Sequence, residues 1–255
     1  LEEGGELWGW GAPSYLFLPE EEETWSTPRP LLIPTGEGDQ KSPLMGVVDV
    51  EAAHGHACAI VGADRALWCW GQTEFGRLGP GEKAVEDSEW FRAPSPVRWT
   101  IGGDAIEGVV DVCTGRNHTC AIIDDGEAST RTYCWGSGDQ VGDMADGDAW
   151  EPTRVLEANS EPLAVNLAEL SCSPAGEHTC GRNEDGSEVY CWGRNDANQL
   201  GNGTWETPVD HAVAVIAGPL NTTIETPISA LFTTQTRTCG ATEEGAFHCW
   251  GRGVS

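Results

Sequence analysis

Ten cysteines, six histidines and 41 acidic residues are the groups in this 255-residue chain able to do chemistry. Thiolates and imidazoles can hold zinc or serve as nucleophile and base, and paired carboxylates can work as general acid and base. Their spacing narrows the choice. Eight cysteines fall in four pairs about 11 residues apart, Cys58 with Cys69, Cys120 with Cys134, Cys180 with Cys191 and Cys239 with Cys249, unlike the Cys-x-x-Cys of a zinc knuckle. Cys113 and Cys172 are left over. His54-Gly55-His56 lacks the His-x-x-x-His spacing of a helical zinc site, and His211 and His248 stand apart. His56, His118 and His178 share one recurring position, which marks a structural role such as bonding a neighbouring carbonyl. There is no Gly-x-Ser-x-Gly elbow and no phosphate-binding glycine loop, so neither a catalytic residue nor a cofactor is expected. The segment "GDQVGDMADGDAWE" places Asp139, Asp143, Asp146 and Asp148 where they offer hard oxygen ligands suited to calcium. Their order does not follow an EF-hand loop, and a solvated turn is the plainer reading.

Composition bounds the rest. Fourteen Lys and Arg against 41 Asp and Glu give a formal charge of −27, which repels phosphate backbones and anionic membrane surfaces. Nucleic acid and membrane insertion are therefore excluded as expectations. No apolar run approaches the roughly 18 residues of a membrane span, and the opening "LEEGGEL" has neither the basic nor the apolar region of a leader. Thirty-three Gly and 15 Pro, with little 3.6-residue apolar periodicity, predict an all-β chain of short strands and turns.

The strands come in a repeat. Trp10, Trp70, Trp135, Trp192 and Trp250 each precede a glycine, at gaps of 60, 65, 57 and 58 residues. Upstream lie "HACAI", "HTCAI", "HTCG" and "RTCG", and farther upstream the apolar stretches "VVDV", twice, then "LAEL" and "ISAL". Each unit reads as three strands followed by a weaker fourth after a proline, and four strands per ~60 residues is the arithmetic of a propeller blade. The expected organisation is one domain over 1–255, with a partial repeat at 5–45 and repeats at about 46–106, 107–165, 166–226 and 227–255.

The phrase "HTCAI…DG…YCWG…N…QLGNGT…P" resembles the repeat of the regulator of chromosome condensation family. That resemblance implies a β-propeller of four-stranded antiparallel blades, seven in the family's members. Those members include a nuclear guanine-nucleotide exchange factor, a plant ultraviolet-B photoreceptor and a secreted bacterial β-lactamase inhibitor, so the fold alone does not choose a function. About four full repeats and a partial one leave three readings: a fragment of a larger propeller, a smaller closed propeller, or an open array completed by another copy through its terminal blades.

Turn chemistry says whether the cysteines can meet. Between Cys180 and Cys191 the midpoint falls on Asp185-Gly186, a favoured hairpin turn that sets the two cysteines opposite each other. Between Cys239 and Cys249 it falls on Glu244, with Gly245 free to take a left-handed conformation, and the same pairing results. Directly opposed residues stand within disulfide reach. The alternative is a set of small buried thiols, as in intracellular members of the family. Cys113 and Cys172 end the first strands of successive units, nearest the propeller axis, where a bond would staple blade to blade. With all ten assigned, the expectation is a secreted or cell-surface protein of the disulfide-bearing type, resembling the β-lactamase inhibitor.

The function expected is non-enzymatic: an extracellular propeller that binds a protein or serves as a scaffold. Carbohydrate binding or adhesion is the alternative, with an exchange-factor-like regulator or a propeller enzyme behind it. The residues expected to touch a partner are the tryptophans that precede a proline at the fourth strand, Trp25, Trp90, Trp150 and Trp205, joined by Phe75, Arg77 and Phe91 from the most elaborate loop. Packing of each indole against its own proline and the neighbouring blade is the competing reading.

Overall fold

The computed structural model describes residues 5–11, 25–34, 41–80, 91–124, 126, 129–216 and 226–253. It is a β-propeller of antiparallel blades. Strands β1 (Trp8–Gly11) and β2 (Trp25–Pro30) form one two-stranded sheet, and β3 (Leu32–Pro34) and β4 (Lys41–Pro43) a second. Three four-stranded blades follow. The first contains β5 (Val47–Ala53), β6 (His56–Val61), β7 (Ala66–Gln72) and β8 (Phe91–Pro96). The second contains β9 (Val109–Thr114), β10 (His118–Asp124), β11 (Thr130–Gly136) and β12 (Ala149–Arg154). The third contains β13 (Leu167–Cys172), β14 (His178–Asn183), β15 (Val189–Gly193) and β16 (Val209–Ala214). A fourth blade has β17 (Ile228–Thr233), β18 (Arg237–Thr242) and β19 (Phe247–Gly251). Strand order follows chain order within every blade, and the first strands β5, β9, β13 and β17 pack one against the next. They are the innermost layer. Helical structure among the described residues is limited to two single 3-10 turns, Glu74–Gly76 and Gly138–Gln140.

The hairpin register sets the cysteines opposite each other. Cys58 faces Cys69, Cys120 faces Cys134, Cys180 faces Cys191 and Cys239 faces Cys249. Each pair is a disulfide with Cα atoms 4.1 Å apart. The turn at Asp185-Gly186 is wider than a two-residue hairpin, because Asn183 donates its N–H to the carbonyl of Glu188. Widening by one residue on each side keeps the midpoint, and so keeps the register. Cys113 and Cys172 join β9 to β13 across 59 residues of chain, with Cα atoms 5.3 Å apart.

Tryptophan and glycine lock successive blades. Trp135 and Trp192 are fully buried and Trp70 nearly so. The loop of the preceding blade lays a glycine on each indole: Gly79 on Trp135, Gly142 on Trp192 and Gly201 on Trp250. A Cβ on these glycines would stand 3.1, 2.9 and 2.7 Å from the ring, and their φ angles of 64°, 73° and 65° are left-handed. Both facts call for glycine.

A histidine relay runs beside that contact. Nε2 of His56, His118 and His178 lies 2.8, 2.7 and 3.0 Å from Oγ1 of Thr119, Thr179 and Thr238, each in the next blade. Thr119 and Thr238 donate onward to the carbonyls of Arg77 and Gln199. They must therefore accept from the histidines, which places the proton of His56 and His178 on Nε2. His118 instead holds Gln140 Oε1 at 2.7 Å through Nδ1, so its Nε2 accepts from Thr179. Burial pushes the pKa of His118 down to about 4 and of His178 to about 3, and holds His56 well below its ordinary value. All three are neutral donors and acceptors at neutral pH.

A carboxylate clip completes the seam near the axis. Asp111 Oδ2 accepts the N–H of Leu170 at 2.6 Å, and Glu169 Oε1 accepts that of Leu231 at 3.0 Å, each one blade along. The fourth blade has Ala230 at the clip position and Arg237 at the relay position, so it carries neither device forward.

Candidate partner-binding face

Strands alternate in direction, so the ends of the third strands and the starts of the fourth share one rim of the propeller. The loops from Thr73, Ser137 and Arg194 onward rise there. On this rim Trp150 is 57% exposed, Trp205 72% and Phe75 39%. Trp150 is the second residue of β12 and lies over the 3-10 turn of the preceding blade, where a Cβ on Gly76 would stand 3.0 Å from its Cα and 3.1 Å from Cδ2. Phe75 is the neighbour of that glycine, with a left-handed φ of 62°. Exposed aromatic residues of two blades thus stand at one seam.

Trp205 is held differently. Its loop is tied down on both sides, because Asn195 donates from its backbone N–H to Thr207 Oγ1 at 3.0 Å and from Nδ2 to the Thr204 carbonyl at 3.0 Å. The backbone is fixed while the indole is open. Met144, 37% exposed, lies in the loop of the blade between, and its N–H donates to the Asp210 carbonyl at the start of β16.

Arg77 is not part of this surface. It is 1% exposed, donates to the carbonyls of Glu74 and Arg116 at 3.0 and 3.1 Å, and pairs with Glu74 Oε2 at 2.7 Å. It stands where the next blades have the buried Gln140 and Gln199, one residue before Leu78, Val141 and Leu200. Aligning "RLG", "QVG" and "QLG" is the sequence signal for this structural place. Trp90, with the side chains of Trp25 and Phe91, lies outside the described residues.

The four aspartates considered for calcium do not converge into a ligand set. Asp143 Oδ1 accepts the N–H of Ala145 at 3.1 Å and Asp148 Oδ1 that of Gly138 at 3.3 Å, which are turn-closing bonds. The one group of three or more such ligand atoms among the described residues is Cys113, Cys120 and Cys172, and each of these sulfurs is spent in a disulfide. No helix of the described residues is long and apolar enough to cross a membrane.

Sequence reasoning missed the carboxylate clip. The equal offset of Asp111 and Glu169 from the starts of β9 and β13 is the sequence signal that marks them.

Two segments match models of the Regulator of chromosome condensation (RCC1) repeat, residues 65–122 and 176–199. The human E3 ubiquitin-protein ligase HERC2 is 29% identical over 204 residues, 78% of this chain and 4% of that protein. The Ultraviolet-B receptor UVR8 of Arabidopsis thaliana is 27% identical over 217 residues, 83% of this chain and 43% of the receptor. The chain thus spans less than half the length of either. Among solved structures, human WBSCR16 superposes with a TM-score of 0.70 at 19% identity, over 96% of this chain and 56% of that one. Yeast RCC1 (Prp20), in its complex with Kap60, gives 0.65 at 20% identity, over 97% and 52%. These likenesses support an RCC1-like β-propeller.

Proposed function

We propose that this chain is a protein-binding propeller, in which rigid blades hold a recognition face made of the loops between third and fourth strands. One observation carries the reading: Trp150 and Trp205 keep most of their surface in water, whereas Trp135 and Trp192 of the same repeat are fully enclosed. Apolar area left in water is a standing cost of about 25 cal/mol per Å². A partner that covers it recovers that free energy, and tryptophan is enriched among the residues that dominate interfaces. The complex of Kap60 with yeast RCC1 gives a precedent for a propeller of this shape carrying a bound protein.

Binding without catalysis is the further part of the proposal. The repeat-position histidines are buried, neutral and bonded through Nε2 to threonines of the next blade, which supports a structural role for them. An extracellular or cell-surface setting is proposed with it, supported by five disulfides that account for all ten cysteines. Such pairing belongs to oxidising compartments.

The test is a double variant, Trp150→Ala with Trp205→Ala, compared with the natural protein in affinity capture from its source's secreted and surface proteins. A partner held by the natural protein should be lost by the variant while its β-sheet circular dichroism stays unchanged. Equal capture of every partner by both would end the reading.

A further inference from the structure

Resting on that binding reading, we infer that the rim around Trp150 takes a cationic segment: a Lys- or Arg-rich stretch of a partner protein, stacked on the indole with its charge facing the carboxylates of 139–151. The loop and strand start from Ser137 to Glu151 hold Asp139, Asp143, Asp146, Asp148 and Glu151 and no Lys or Arg. All but the half-buried Asp143 are exposed. None of the five forms an ion pair with another described residue.

The neighbouring blade differs. There Arg194 pairs with Asp196 at 2.6 Å and Glu177 at 3.2 Å, and Arg116 reaches Glu177 at 3.6 Å. On this rim Glu177 and Asp196 of the third blade are matched by arginines, whereas the five acids of 139–151 have no such partner among the described residues. Asp143 and Asp148 each spend one oxygen on a backbone N–H, which steadies the carboxylate.

The apolar half of the site lies in the same place. Trp150 and Phe75 are exposed at the seam of the first and second blades, and Met144 is exposed on the same rim at the next seam, toward the third blade. Lys and Arg have an apolar stem for such a surface, and their charged heads are attracted to the face of an indole. A formal charge of −27 also draws cationic chains in and turns a second copy of this chain away. Exposed carboxylates without a described cation partner, in the same segment as an open indole, are therefore complementary to a basic peptide.

Selection of random 12-residue peptides on the immobilised full chain, with counter-selection on Trp150→Ala, tests this directly. Peptides that depend on Trp150 should be enriched in Lys and Arg. Their affinity should fall at least tenfold in Trp150→Ala, a variant of unchanged charge, and in Asp146→Asn/Asp148→Asn/Glu151→Gln. It should also weaken as salt rises. A control, Glu184→Gln/Asp185→Asn/Glu188→Gln, removes as much charge from the opposite rim and should leave binding unchanged. Equal weakening by the control would reveal generic attraction of polycations and overturn the inference. Trp150-dependent peptides that are neutral or acidic would overturn the cationic assignment and leave the binding face standing. No Trp150-dependent peptide at all would remove both. Near-ultraviolet circular dichroism of each variant confirms its fold before binding is scored.

Discussion

Trp135→Ala lowers the free energy of unfolding by about 3–5 kcal/mol, whereas Trp150→Ala changes it by no more than about 1 kcal/mol. The two residues are the same type in the same blade, 15 positions apart, and their environments are opposite. Trp135 has no exposed surface, donates Nε1 to the Arg77 carbonyl at 3.0 Å and is capped by Gly79. Alanine there opens a cavity in the close-packed seam between the first two blades. Trp150 leaves most of its ring in water and touches the turn at Gly76 on one side. Denaturant unfolding of both variants measures the contrast. Similar losses would mean that Trp150 serves the fold, and the rim would lose its claim as a binding surface.

Removing the inter-blade bridge, Cys113→Ala with Cys172→Ala, costs about 4 kcal/mol, more than the ~3 kcal/mol expected for Cys239→Ala with Cys249→Ala. The reason is loop closure. The first bridge closes 59 residues and ties two first strands beside the axis, and the second closes a hairpin 10 residues long. The unfolded chain is therefore restrained more by the first. Context adds to the difference: Cys113 and Cys172 are buried, whereas Cys249 is exposed at the fourth blade. Chemical unfolding under non-reducing conditions ranks the two variants. A larger loss from the hairpin pair would mean that the Cys113–Cys172 bond does not anchor the blades.

Much of this architecture is legible because two periods coincide. The recurrence of Trp-Gly gives the blades, and a hairpin midpoint such as Asp185-Gly186 gives the register that sets the repeat cysteines opposite each other. Cys113 and Cys172 follow from their place at the ends of equivalent strands. What stays hidden depends on contacts between blades. Arg77 looks like a rim cation and is buried, because the seam needs a long polar side chain at the place of Gln140 and Gln199. The clips of Asp111 and Glu169 reach across to backbone N–H groups that no local pattern announces. The β3–β4 pair lies inside the partial repeat expected at 5–45, and nothing in its two three-residue strands, which end in Pro34 and Pro43, announces a pairing. Of the tryptophans near proline, Trp150 lies inside β12 and Trp205 stands four residues before β16. They share a rim but not one level, because the two loops differ in length.

Photo-cross-linking from single positions tests the central claim, that partners dock on the rim of the third-to-fourth-strand loops. A benzophenone amino acid is placed at Trp150 or Trp205 on that rim, or at Glu184 in the opposite turn, and each protein is irradiated among the surface and secreted proteins of its source. The account predicts a discrete cross-linked protein from positions 150 and 205 and none from 184. Adducts from 184 with silence at both rim positions would contradict it.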